Sequence, residues 1–178
     1  MSFEFNSGPS GGGKRYVKWK VQGGGSYAPE NFVTGYGDSA EVYEGLKNGG
    51  VVMDIDTLKT GWNTFSGREW RWNENLVDWT PPPKDEFDDW KKGFSVELSD
   101  DDGLIVWEQE GASAFAAIER LAPDLKAGRK GQAVPKIKLR TVERLPTKKM
   151  AIPILEIVEW VDRSKTPASS PSGDDGGF

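Results

Sequence analysis

Residues 14–21 read Lys-Arg-Tyr-Val-Lys-Trp-Lys-Val, a two-residue alternation that a helix would scatter around its circumference and an extended strand sorts onto two faces. Arg15, Val17, Trp19 and Val21 then share one mainly apolar face suited to a core, while Lys14, Tyr16, Lys18 and Lys20 share the other. Similar alternation returns along much of the chain, so the expected class is mainly β. The second face suits a single-stranded nucleic acid, whose phosphates meet cations and whose bases stack on rings. It equally suits a half-buried strand whose lysines protect a sheet edge.

One cored domain is expected over residues 14–162, between a polar, Gly-rich arm at 1–13 and a Ser/Pro/Gly tail at 163–178. No apolar run approaches the roughly 18 residues of a membrane span, and the opening Met-Ser-Phe-Glu-Phe lacks the regions of a signal peptide. A cytoplasmic protein without membrane contact is therefore expected. With no Cys and no His, disulfides, thiolate nucleophiles, Cys/His zinc sites and imidazole catalysis are excluded, and no cofactor is expected.

A net charge of −5 speaks against a nucleic-acid partner only if charge is taken as a sum. Screening beyond roughly 8 Å makes the local patch decisive. Acids gather at Asp85, Glu86, Asp88, Asp89 and at Asp100, Asp101, Asp102, whereas residues 126–149 hold nine Lys or Arg against Glu143 alone. The chain also carries eight Trp, several of them near Arg or Lys.

Past the first strand, Gly23-Gly24-Gly25 is a loop without the Lys-Ser/Thr of a phosphate-binding motif. Asp38 and Glu41, spaced as a capping box before Val42, Tyr43 and Leu46, predict a short helix ending at Gly49 and Gly50. Residues 50–58 predict a strand, from which Asp54 and Asp56 project together; a metal pair and a solvated polar face are both compatible with that spacing. Residues 60–65 are expected to be a loop exposing Trp62, and 68–72 a strand with Arg68, Trp70 and Trp72 on one face. Those two rings suit either a core wall or a base-stacking platform beside a guanidinium.

Pro81-Pro82-Pro83 marks an extended crossing, and the acidic segment 85–92 one helical turn or a loop. Residues 93–98 and 104–108, separated by Asp101-Asp102-Gly103, read as a hairpin with Phe94, Val96 and Leu98 facing inward. Phe115, Ile118 and Leu121 recur at helical spacing after Ser113, the expected N-cap, giving a helix to Pro123 or slightly beyond. A basic loop at 128–131 precedes strands at 134–145 and 150–161, the second interrupted by Pro153, which argues for an edge or a bulge. Five core strands closing on themselves, with a helix between the third and fourth, form an OB-fold barrel. That is the expected fold, with the basic strands along one cleft; another small β-barrel or a sandwich accommodates the extra strands.

The tail ends in Asp174, Asp175, Gly176, Gly177 and Phe178, two carboxylates and a ring that a basic-rimmed apolar pocket of a partner can capture. With this ending, the basic strand 14–21 and the run from Val51 to Asn63, the chain resembles bacteriophage single-stranded DNA-binding proteins of OB-fold type. The resemblance implies a protein that coats single strands in the host cytoplasm during replication or recombination, without catalysis, and docks replication proteins through the tail. On this reading Lys18, Lys20, Lys136, Lys138 and Arg140 neutralise phosphates, Tyr16, Trp62, Trp70 and Trp72 stack on bases, and Arg68 flanks them. Two other readings stay open: an adaptor whose basic strands bind an acidic protein, and a metal-dependent nuclease using Asp54 and Asp56.

Overall fold

A computed structural model describes residues 15–20, 31–34, 41–73, 87–145 and 150–162. The expected arm, the triple-glycine loop, the proline crossing and the tail with Asp174, Asp175 and Phe178 lie outside them. Nine strands and one helix are described: β1 (Arg15–Lys20), β2 (Asn31–Thr34), β3 (Glu41–Val42), β4 (Val51–Thr64), β5 (Glu69–Trp72), β6 (Trp90–Asp100), β7 (Gly103–Glu110), α1 (Ala112–Gly128), β8 (Val134–Leu145) and β9 (Met150–Val161). The sheet runs β3-β2-β1-β7-β6-β4-β8-β9, with β5 added to β4. Neighbours are antiparallel except β1 and β7, which run parallel.

The sheet curls into a half-barrel around one core. As the alternation predicts, β1 buries Val17 and Trp19 and leaves Tyr16 46% exposed. The Trp19 indole N–H donates to the Ala151 carbonyl of β9 at 2.8 Å, so two strands with four others between them in the sheet meet across the opening. Inside, Trp107 receives Phe32 and Phe94 edge-on, with ring centroids 5.1 and 4.8 Å away, the arrangement that the ring quadrupoles favour. α1 lays Phe115, Ile118, Leu121 and Leu125 onto this core. It begins at Ala112 after Gly111, one residue before the expected cap at Ser113, and continues through the exposed Pro123 because Leu125 buries a further turn.

Arg15 departs from the apolar role of its face. Its guanidinium forks onto Asp100 at 2.6 and 3.3 Å, and the Tyr43 hydroxyl donates to the same carboxylate at 2.8 Å, tying β1 to the end of β6. Partial burial pushes the Asp100 carboxyl upward, yet the hydrogen bonds from Arg15 and Tyr43 hold it below the usual carboxylate range.

Three expectations are corrected. Among the described residues no helix follows Asp38: Glu41 and Val42 form β3, paired with Val33 and Thr34, and only a turn lies beyond them at 45–49. A single hydrogen-bonded turn fixes many dihedrals for few bonds, and pairing with β2 offered more. Trp62 is not on a loop, because β4 runs unbroken from Val51 to Thr64. Arg68 sits in the turn before β5 with φ 54°, so it does not share the strand face of Trp70 and Trp72. In the sheet order the basic strands β1 and β8 are separated by β7, β6 and β4.

β8 and β9 keep the expected bounds. Pro153 lies on the last strand of the sheet order, near a register shift between Leu139 and Thr141.

Candidate nucleic-acid interface

β4 divides its second edge. Its first residues, Val51 and Val52, pair with β8, while Gly61 to Thr64 pair with β5. Its other edge pairs with β6 along most of the length, so β5, β4 and the start of β6 form a three-stranded blade at one end of the half-barrel. Two close approaches shape it. A Cβ on Gly61 would overlap the Arg71 carbonyl oxygen, and one on Gly93 would sit 2.7 Å from the Trp70 ring. Glycine at these positions lets β5 and its tryptophan lie against their neighbours.

On the outer face of the blade Trp70 and Trp72 are stacked, centroids 4.6 Å apart and planes within 8°. The Lys59 ammonium lies 4.7 Å from the Trp72 centroid, a cation–π contact. Both rings are partly exposed. On the opposite face, the register places Trp62 between Arg71 and Lys92, and the Arg71 guanidinium lies 5.1 Å over the Trp90 ring. Arg71 also pairs with Glu69 at 2.7 Å. Rings and cations are thus interleaved on both faces, the combination that single-stranded nucleic acid requires.

The apex is the turn from Phe65 to Arg68. Asp89 organises it, accepting hydrogen bonds from the Thr64 hydroxyl, the Ser66 N–H at 2.8 Å and the Ser66 hydroxyl at 3.0 Å. These bonds, the one from Thr64 first, push the Asp89 carboxyl down to about 2. A depressed carboxylate contributes order that is complete above its ordinary pKa of 3.8 and is lost as pH falls through about 2. NMR titration of the Asp89 carboxyl carbon is expected to show a midpoint near that lower value, with the Ser66 amide losing protection in parallel. A midpoint at 3.8 means that the carboxylate does not hold the turn.

The residues read from sequence therefore separate. Trp62, Arg68, Trp70 and Trp72 gather on the blade, with Trp62 on the face opposite the other two rings. Tyr16, Lys18 and Lys20 lie on the outer face of β1, where the register brings Lys18 alongside Glu108, one step beyond the Val17–Trp107 pair. Lys136 lies 3.9 Å from Glu159 and Lys138 is paired across the ladder with Glu156, so β9 supplies acids to both. Arg140 is the extra residue of a bulge and leaves the file of Lys136 and Lys138. Asp56 receives a two-pronged contact from Arg129 at 2.9 and 3.0 Å. No cluster of metal-ligating side chains occurs among the described residues.

Lys59, Arg71, Trp90, Lys91 and Lys92 also belong to the blade, Phe65 stands on the turn beyond its end, and sequence reasoning passed over all six. Phe65 carried a signal: a large ring between Thr64 and Ser66-Gly67, in turn-forming company, has no reason to be there for burial. No protein-family model matches the chain, and neither does any curated protein or solved structure. No helix among the described residues is long and apolar enough to cross a membrane.

Proposed function

We propose that the chain is a non-enzymatic, sequence-tolerant single-stranded DNA-binding protein of OB type, acting in replication or recombination, with the blade as its principal contact. The observation that carries this reading is the stacked Trp70–Trp72 pair with Lys59 over it, partly exposed at the end of a half-barrel. The order of elements supports it. β4, β6 and β7 come in that order, with β5 between the first two, then α1, β8 and β9, and the five strands other than β5 are contiguous as β7-β6-β4-β8-β9. A helix between the third and fourth strands is the OB arrangement, with β1 to β3 and β5 as additions. In that arrangement the loop between the first and second strands is one of two that bind oligonucleotides, and β5 lies in it.

Neutral sequence preference follows from the chemistry, because every base offers a π face and every nucleotide a phosphate. The tail, with Asp174, Asp175 and Phe178, serves on this reading to dock replication proteins, as the resemblance to phage proteins implies.

Titration with poly(dT) is expected to quench tryptophan fluorescence. If Lys59, Arg68, Arg71, Lys91 and Lys92 supply three to five phosphate contacts, log K is expected to fall against log salt with a slope of roughly −2 to −3.5. Quenching by heparin as strong as by DNA would favour an adaptor for acidic proteins instead, since a polyanion without bases gains nothing from stacking.

A further inference from the structure

We propose that Phe65 is an insertion residue: its ring enters the base stack where the strand held on the blade meets duplex, and keeps that junction open. This rests on the reading of the blade as a nucleic-acid interface.

Phe65 is 81% exposed. An isolated apolar residue on a surface is ordinary, but this one stands on a turn fixed from several sides. Asp89 binds the residues before and after it, the Gly67 N–H donates to the Thr64 hydroxyl at 3.2 Å, and the Arg68 N–H to the Phe65 carbonyl at 3.3 Å. Gly67 in turn lies against the Phe87 ring, close enough that a Cβ there would sit 2.6 Å from it. These bonds fix the backbone that carries the ring, and the ring itself stands in solvent. Arg68 occupies the left-handed region at φ 54°, where Gly or Asn is the usual occupant. The backbone thus accepts an unfavourable conformation and keeps a cation three residues beyond a presented ring.

Position selects the role. Trp70 and Trp72 lie along one face of the blade, suited to bases in transit, whereas Phe65 lies beyond the end of both faces. It addresses whatever continues the strand off the blade. An apolar wedge driven between base steps is a general means of unstacking duplex, most easily at an end where pairing is already broken.

The test uses the full chain and a DNA hairpin with a dT tail, carrying 2-aminopurine in the pair next to the tail. Wild-type protein is expected to raise the 2-aminopurine emission severalfold, and Phe65→Ala to abolish most of that rise while changing poly(dT) affinity by less than about threefold. Phe65→Tyr, which keeps a planar ring, is expected to retain it. An undiminished rise with Phe65→Ala overturns the proposal. So does a change in sedimentation of the variant without any change at the junction, which makes Phe65 a protein contact. Wild-type binding of poly(dT) without junction opening overturns this proposal alone; failure to bind poly(dT) overturns the blade reading with it.

Discussion

Trp19→Ala is expected to destabilise the chain by about 3–5 kcal/mol, and Trp19→Phe by about 1–3 kcal/mol, in urea unfolding followed by circular dichroism. The first substitution removes a buried indole that packs 5.0 Å from Phe32 and leaves a cavity in the core. The second keeps most of the ring and removes the N–H that reaches Ala151 of β9. Ala151 is buried, so its carbonyl would then lose its partner without ready access to water. The difference between the two variants isolates the contribution of closure from that of packing. A Trp19→Phe chain as stable as the parent would mean that β1 and β9 need no such bond to face one another.

Trp70→Ala combined with Trp72→Ala is expected to weaken binding of a labelled dT oligomer by about 2–4 kcal/mol, roughly thirty- to a thousandfold, in fluorescence anisotropy. Each ring alone is worth about 1–3 kcal/mol per stacked base. The pair is less than additive because each ring is also the other's neighbour. The salt slope should stay close to the parent value, since the proposed phosphate contacts of Lys59, Lys91 and Arg68 are untouched by the two substitutions. Stability should fall little, as neither ring belongs to the core cluster. A loss below about threefold in the double variant would place the binding surface elsewhere, with β1 and its exposed Tyr16 the next to examine.

Long alternating segments are legible in the sequence. The faces of β1, the β6–β7 hairpin, the stripe of α1 and the bounds of β8 and β9 all follow from local periodicity, because each of these elements buries one face against the same core. Short elements are not. β3 has two residues, and nothing in Glu41 and Val42 outweighs a capping pattern until β2 stands beside them. Gly61 disguises the second half of β4, since a glycine reads as a break wherever the pressure of a neighbour such as the Arg71 carbonyl is hidden.

For the candidate site, the sequence points to Trp70 and Trp72 but not to what surrounds them. Cross-strand register decides that Lys136 and Lys138 look onto Glu159 and Glu156, and register is a property of two segments together. Part of the basic run of 126–149 is thus met by acids from other segments. In space Arg129 meets Asp56, and the interleaved rings and cations concentrate on β4, β5 and β6.

The ladder between β8 and β9 slips twice. Lys136 faces Glu159 but Ile137 faces Ile157, making Val158 supernumerary on one strand; Leu139 faces Leu155 but Thr141 faces Ile154, making Arg140 supernumerary on the other. The two offsets have opposite sense and cancel. Because each extra residue is unpaired, a lineage that lost Val158 or Arg140 alone would keep every other pair of the ladder face to face and lose only the local bend, so changes of length should be tolerated at these two places singly and resisted elsewhere along both strands.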